Sequence, residues 1–187
     1  SGLLNTIYMN IYYVIIGKFF SATELGYFTN GKKLEEVASQ AVSTSLQRVS
    51  YPVLSSIQKD ENRLRAGFSK IIRTSTFINF PIMVFLAAIA GPLIGLVFGE
   101  KWLPSIPYFQ ILCFEGMMFP LHAINLNILQ VKGRSDLFLR LEIIKKAVFT
   151  ATIVVVLIMK LGIVGLLWGS VLNSYIAYLI NAVYSKQ

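Results

Sequence analysis

The sequence predicts an all-α fold, a polytopic membrane helix bundle with six transmembrane helices. Three observations carry that prediction. Of 187 residues, 55% are hydrophobic and only 14% charged, whereas soluble domains are about a quarter charged. Residues 77–99 read FINFPIMVFLAAIAGPLIGLVFG without a charge, and about 20 such residues suffice to cross the hydrocarbon. The charges that remain gather at the ends of apolar runs, where they set orientation in a membrane.

The first span is expected at 3–20, with an aromatic side and Lys18 at its end, closed by the turn SATELG. The second, 27–51, belongs to a longer polar stretch, 26–58, in which Pro52 should kink or end the helix. A basic segment with Lys59, Arg63, Arg65, Lys70 and Arg73 leads into the third span, 71–98, where Pro81 and Pro92 are expected kinks. GEKWLPSIP is a short loop before the fourth span, 108–131. A second basic segment holds Lys132, Arg134, Arg140, Lys145 and Lys146. The fifth and sixth spans, 139–160 and 163–184, meet at a turn over 160–162. The segments after the second and fourth spans thus carry ten Lys and Arg, and those after the first, third and fifth only Lys18, Lys101 and Lys160. Both ends of the chain are therefore expected in the cytoplasm.

The net charge of +8 could suggest nucleic acid, but charges confined to span ends point to a membrane partner and no nucleic acid. Cys113 is the sole cysteine, so no intrachain disulfide or cysteine-based metal site can form. There is no GxxxxGK[ST] loop, no HExxH and no credible Ser/His/Asp set. No cofactor and no catalysis are expected. The chain starts at Ser1, almost directly in an apolar segment and without a signal peptide. It is expected to be a piece of a longer protein.

The polar residues of 26–58 are patterned. Thr29, Lys33, Glu36, Gln40, Ser43, Gln47 and Ser50 alternate spacings of four and three, which places them on one stripe of a helix. Such a stripe among membrane spans is expected to line a polar cavity. Lys32, Lys33, Glu35 and Glu36 lie about one turn inside the non-cytoplasmic end, where snorkelling is an equal alternative, and Lys32–Glu36 at i,i+4 could neutralise itself. Arg48 lies about ten residues, ~15 Å of helix, from the basic segment and has no acid at i±3 or i±4. It could meet a lipid diphosphate, pair with an acid elsewhere, or reach the cytoplasmic headgroups. In the fourth span, Glu115, His122 and Asn125 share a face. Glu115 and His122 are candidates for proton coupling, with helix–helix hydrogen bonding the alternative.

The runs IIGKFFSATELGYFTNGKKL, LQRVSYPVLSSIQKDENRLRAGF and PLIGLVFGEKW, within residues 15–102 and in that order, resemble the bacterial polysaccharide exporters. These are the lipid-linked oligosaccharide flippases of the multidrug/oligosaccharidyl-lipid/polysaccharide exporter superfamily. The rest of the chain matches in hydropathy and loop charge. The resemblance implies two six-helix lobes around a central cavity, alternating access, residence in the bacterial cytoplasmic (inner) membrane and a lipid-linked diphosphate oligosaccharide as cargo. This chain would be the C-terminal lobe, and the missing N-terminal lobe its partner. Lys32, Lys33 and Arg48 would then attract the diphosphate or an acidic sugar, Gln40, Ser43 and Gln47 would bond hydroxyls, and Glu36 would share the wall. The alternatives are a cation-coupled drug or small-molecule antiporter of the same superfamily, a membrane glycosyltransferase or polymerase, and a non-catalytic membrane scaffold. Short loops on the non-cytoplasmic side count against the glycosyltransferase or polymerase.

Overall fold

A computed structural model describes the backbone of residues 2–131 and 135–185, and the side chains of 10–125 and 140–181. Lys132 and Arg134 of the second basic segment lie outside the described residues. Among the described residues the fold is all-α, with eight α-helices and one 3-10 helix. They are α1 (Gly2–Phe19), α2 (Ala22–Ser56), α3 (Glu61–Ala88), α4 (Ala90–Phe98), α5 (Ile106–Gly116), α6 (Phe119–Val131), α7 (Ser135–Ile158) and α8 (Gly162–Ser185), with the 3-10 turn Glu100–Ser105 between α4 and α5.

Local chemistry sets most boundaries. Ser21 caps α2, its Oγ accepting from Glu24 N at 3.1 Å while Ser21 N donates to Glu24 Oε2. This is the reciprocal Ser-x-x-Glu box that satisfies two orphan donors. Pro52 does not stop α2, which runs one further turn to Ser56. α3 begins at Glu61, ten residues before the expected start of the span. Asp60 caps it by accepting from Arg63 N at 3.0 Å, so most of the first basic segment is helical. Its exposed turns carry the Arg63–Asp60 and Arg65–Glu61 pairs. Arg140, Lys145 and Lys146 likewise lie in α7 and not in a loop. The expected turn over 160–162 is present, with Lys160 at φ 53° and Gly162 at φ 70°.

Two segments expected as single helices are each two helices. The third span breaks at Ile89 and the fourth at Met117–Met118. Each break lies at a fixed distance from a proline. Pro92 and Pro120 have no N–H, and their rings crowd the carbonyl four residues back. Those residues are Ala88, the last of α3, and Gly116, the last of α5. Within hydrocarbon such carbonyls must be satisfied by protein. A neighbouring amide bonds the freed Gly116 carbonyl, and another bonds Ala87 O, the carbonyl next to Ala88. Gln110 Nε2 donates to Ala87 O at 3.0 Å, and Asn79 Nδ2 donates to Gly116 O at 3.1 Å and Met117 O at 3.0 Å.

α2 is the axis of the bundle and packs most extensively on α5 and α6, while α7 pairs with α8. Its buried face is Phe28, Gly31, Glu35, Ser39, Ser43, Ser50 and Leu54. Most of these are small, which lets helices approach closely in the absence of a strong hydrophobic drive. A Cβ at Gly31 would lie 3.1 Å from Phe109 N. Three apolar clusters surround the axis: Ile16, Phe28 and Leu112 with α7 and α8; Met83, Ile94, Phe109 and Leu121; and Leu54, Leu64 and Leu141. The outer surface is also apolar, with Phe77 81% and Leu96 87% exposed. Two helices, Glu61–Ala88 and Gly162–Asn181, are by length and composition able to cross a membrane.

Replacing Gly31 by Leu should push α2 away from α5. Overpacking of this kind costs roughly 1–3 kcal/mol, so the thermal unfolding midpoint of the full-length protein should fall by several degrees, as read by fluorescence-detected size exclusion after heating.

Candidate functional site

The α2 axis brings its buried face to the end of α5, and there the bundle holds charge. Glu35 is 2% exposed. It is reached by Lys32, one turn earlier, whose Nζ lies 3.0 Å from Glu35 Oε2. The same Nζ lies 3.5 Å from Glu115 Oε2 on α5. Glu115 Oε2 also faces Ser170 Oγ of α8 at 3.2 Å, and that hydroxyl shares its proton with Leu167 O at 2.8 Å. One ammonium thus serves two carboxylates in a poorly solvated interior. A half-satisfied polar group in such a place is costly.

The triad opens on a cavity of about 320 Å³ between α2, α5, α6, α7 and α8. Across it, His122 Nε2 of α6 is 3.0 Å from Ser174 Oγ of α8. On the α7 wall, Lys145 is ion-paired with Glu142, and Lys146 lies beside them. Asn173 accepts from Thr152 Oγ1 at 3.1 Å, and Phe119 and Phe149 supply the apolar lining. Three lysines and three glutamates therefore line the cavity in two mixed groups, Lys32 with Glu35 and Glu115, and Lys145 and Lys146 with Glu142. Gly116 provides the room for Glu35, since a Cβ there would lie 2.5 Å from Glu35 Oε1. Among the described residues no group of His, Cys, Asp or Glu could hold a metal ion.

The residues singled out from the sequence divide between two places. Lys32, Glu115 and His122 meet in the cavity. Lys33, Gln40, Gln47 and Arg48 lie exposed on the outer side of α2, with Glu36 half-buried beside them. Arg48 has no ion-pair partner among the described residues. Ser43 is buried and accepts from Gln47 Nε2 at 3.1 Å. Lys32 pairs with Glu35 and not with Glu36, because Glu35 shares the inner face while Glu36 turns toward the surface. His122 makes the helix–helix hydrogen bond that was one of the two expectations for that position, and it also lines the cavity.

Sequence reasoning missed Glu35 as a deep acid, and it missed Ser170, Ser174, Glu142 and the inward placement of Lys145. A signal for Glu35 existed. Gly31, Ser39, Ser43 and Ser50 recur with Glu35 at helical spacing, and a run of small residues marks the close-packed side of a membrane helix. The larger polar side chains drew attention to the adjoining face.

Residues 1–107, more than half of the chain, match the family described as polysaccharide biosynthesis protein. The chain is 32% identical over 148 residues to an uncharacterized membrane protein in the cps region of Klebsiella pneumoniae, covering 79% of this chain and 30% of that protein. It is 28% identical over 137 residues to the teichuronic acid biosynthesis protein TuaB of Bacillus subtilis (strain 168), covering 73% and 28%. It is 25% identical over 182 residues to the lipopolysaccharide biosynthesis protein WzxC of Escherichia coli (strain K12), covering 96% and 37%. The chain thus spans about a third of the length of these relatives. No solved structure matches it.

Lys32→Met in the full-length protein leaves two carboxylates facing an apolar side chain. Breaking a buried pair from one side costs about 3–5 kcal/mol. The variant should unfold at clearly lower temperature in a thermal-shift assay, and adding Glu35→Gln and Glu115→Gln should recover most of the loss. An unchanged midpoint in Lys32→Met would mean that the triad contributes nothing to stability.

Proposed function

Because the chain belongs to the polysaccharide biosynthesis protein family, we propose that it is one six-span lobe of a transporter that flips lipid-linked oligosaccharide precursors across the cytoplasmic membrane by alternating access. The activity involves no covalent chemistry. The single observation behind this reading is the outer side of α2. It presents Lys33, Gln40, Gln47 and Arg48 on a bundle whose other exposed positions are largely apolar, such as Phe77, Leu96 and Ile158. Charged and amide groups in the hydrocarbon zone face protein or a water-filled path. The relatives are about three times as long, so the rest of the protein is available to form the opposite wall.

In this reading Arg48 pairs with the diphosphate through its planar fork, while Lys33 and Glu36 flank the non-cytoplasmic end. Gln40 and Gln47 exchange hydrogen bonds with sugar hydroxyls, and Ser43 acts on the path through Gln47. The lipid tail remains in the bilayer. The basic first turns of α3 and the basic residues along α7 keep both ends of this segment in the cytoplasm. The cavity triad supplies coupling. Two carboxylates that share Lys32 are suited to taking up and releasing one cation or proton as the lobe moves, with Glu115 and His122 on either side of the opening.

A second reading, a cation-coupled antiporter for drugs or other small molecules, draws on a specific observation. Two acids, the buried Glu35 and the half-buried Glu115, line the cavity of this lobe. The two readings differ in cargo and share the coupling site.

In a strain whose surface polysaccharide depends on the full-length protein, Arg48→Ala should abolish the polymer at wild-type protein levels. Gln40→Cys and Gln47→Cys, in a background without other accessible thiols, should react with a membrane-impermeant, water-soluble thiol reagent. Normal polymer together with unreactive cysteines would reject the α2 path. Drug resistance that follows expression, with polymer unaffected, would select the antiporter.

A further inference from the structure

The cavity straddles the break between α5 and α6. Glu115 and Gly116 end α5 on one side, and Phe119 and His122 begin α6 on the other. Any change in the angle between α5 and α6 therefore changes the separation of the two proposed coupling residues. Three features meet at this point. Pro120 denies Gly116 O its helical donor. Glu35 packs closely against Gly116, where a Cβ would lie 2.5 Å from Glu35 Oε1, so a side chain there would displace the carboxyl group. Asn79, from the middle of α3 and 1% exposed, donates to both Gly116 O and Met117 O.

We propose that Asn79 is a positioning residue for transport. It ties the break to α3, fixes the angle at which α5 meets α6, and so sets the placement of Glu115 relative to His122 and Lys32. This rests on the reading of the cavity triad as the coupling site. The orientation of the amide is dictated by its partners, since two carbonyl oxygens accept only from Nδ2. Its Oδ1 meets no donor among the described residues. Asn79 is thus held in the core for its donors alone. The ordinary way to satisfy Gly116 O, a straight helix, is closed by Pro120, and a straight helix would also swing the His122 wall relative to Glu115. The bend is maintained from a third helix, which makes its angle a property of α3, α5 and α6 together.

The test uses the full-length protein in proteoliposomes. Asn79→Leu keeps the volume and removes the donors. Asn79→Leu with Pro120→Ala returns a backbone N–H to Gly116 O and permits a straight helix. In Asn79→Leu, amide hydrogen exchange over residues 116–122 should rise about tenfold, because local opening no longer breaks two bonds, and flipping of a polyprenyl-diphosphate-linked oligosaccharide should be lost. In the double variant, exchange and thermal midpoint should return toward wild type while flipping remains lost. Flipping restored by Pro120→Ala would reduce Asn79 to a structural cap and overturn the proposal. Wild-type exchange in Asn79→Leu would overturn it as well. The exchange measurement involves no cargo. If the wild-type protein moves no oligosaccharide, the flipping reading falls, and exchange alone still decides whether Asn79 holds the break.

Discussion

A backbone carbonyl released from a helix inside hydrocarbon has no water to bond, and much of this fold follows from that constraint. Pro92 and Pro120 each release one. In a soluble protein solvent would repair such a break, and the surrounding residues would be free to vary. Here Asn79 of α3 bonds the released Gly116 carbonyl, while Gln110 of α5 bonds Ala87 O, next to the released Ala88 carbonyl. The two contacts are reciprocal across one interface. α5 bonds the chain beside the α3–α4 break, and α3 satisfies the carbonyl at the α5–α6 break. These two segments are therefore held by hydrogen bonds of fixed direction as well as by packing, and side chains at the breaks, Glu115 above all, are placed more narrowly than apolar contacts alone would place them.

The charged triad depends on that placement. Glu35 stays in the core because Gly116 leaves room for its carboxylate and because Lys32 reaches it from one turn away. Lys32 in turn depends on Glu115, which is the last residue before the broken carbonyl. Buried charge is retained at a cost in folding stability, and a bundle with this much apolar surface has no need of it for cohesion. Its position beside a helix break joins an electrostatically sensitive group to a mechanically distinct point. In the proposed transporter, a change in the occupancy of the triad would act on the α5–α6 junction directly, without a chain of intervening residues.

The sequence displayed the all-α class and the apolar runs plainly, because hydropathy and loop charge are additive along the chain. It displayed helix starts less well. Glu61 begins α3 inside a stretch that reads as a basic loop, since Asp60 as a cap and a pair of i,i+3 and i,i+4 ion pairs outweigh the low hydropathy there. Of the site, Lys32, Glu115 and His122 were legible as polar residues out of place in spans. Glu35 was not, because its meaning comes from Gly116, 81 positions away in the chain. Asn79 was illegible for the same reason. It sits in an apolar run like any packing amide, and only the neighbouring break gives its two donors a purpose. Pro92 was read correctly as a point of bending, while Pro120 went unread although the same rule applies to it.

α2 is polar on two faces, and this sets it apart from its neighbours. Lys32 and Lys33 are consecutive, so they diverge by about 100° around the helix. One enters the triad, and the other joins the outward row with Gln40, Gln47 and Arg48. A helix made only for packing would give one of these faces to apolar residues, as α8 does with Leu172, Ile176 and Leu179 on its exposed side. Two polar faces on one rigid rod mean that a rotation or shift that repacks the inner one must displace the outer one by a similar amount. In the proposed transporter this provides the simplest mechanical link between the coupling triad and the cargo path. It requires no relay of side chains, because a single helix carries both.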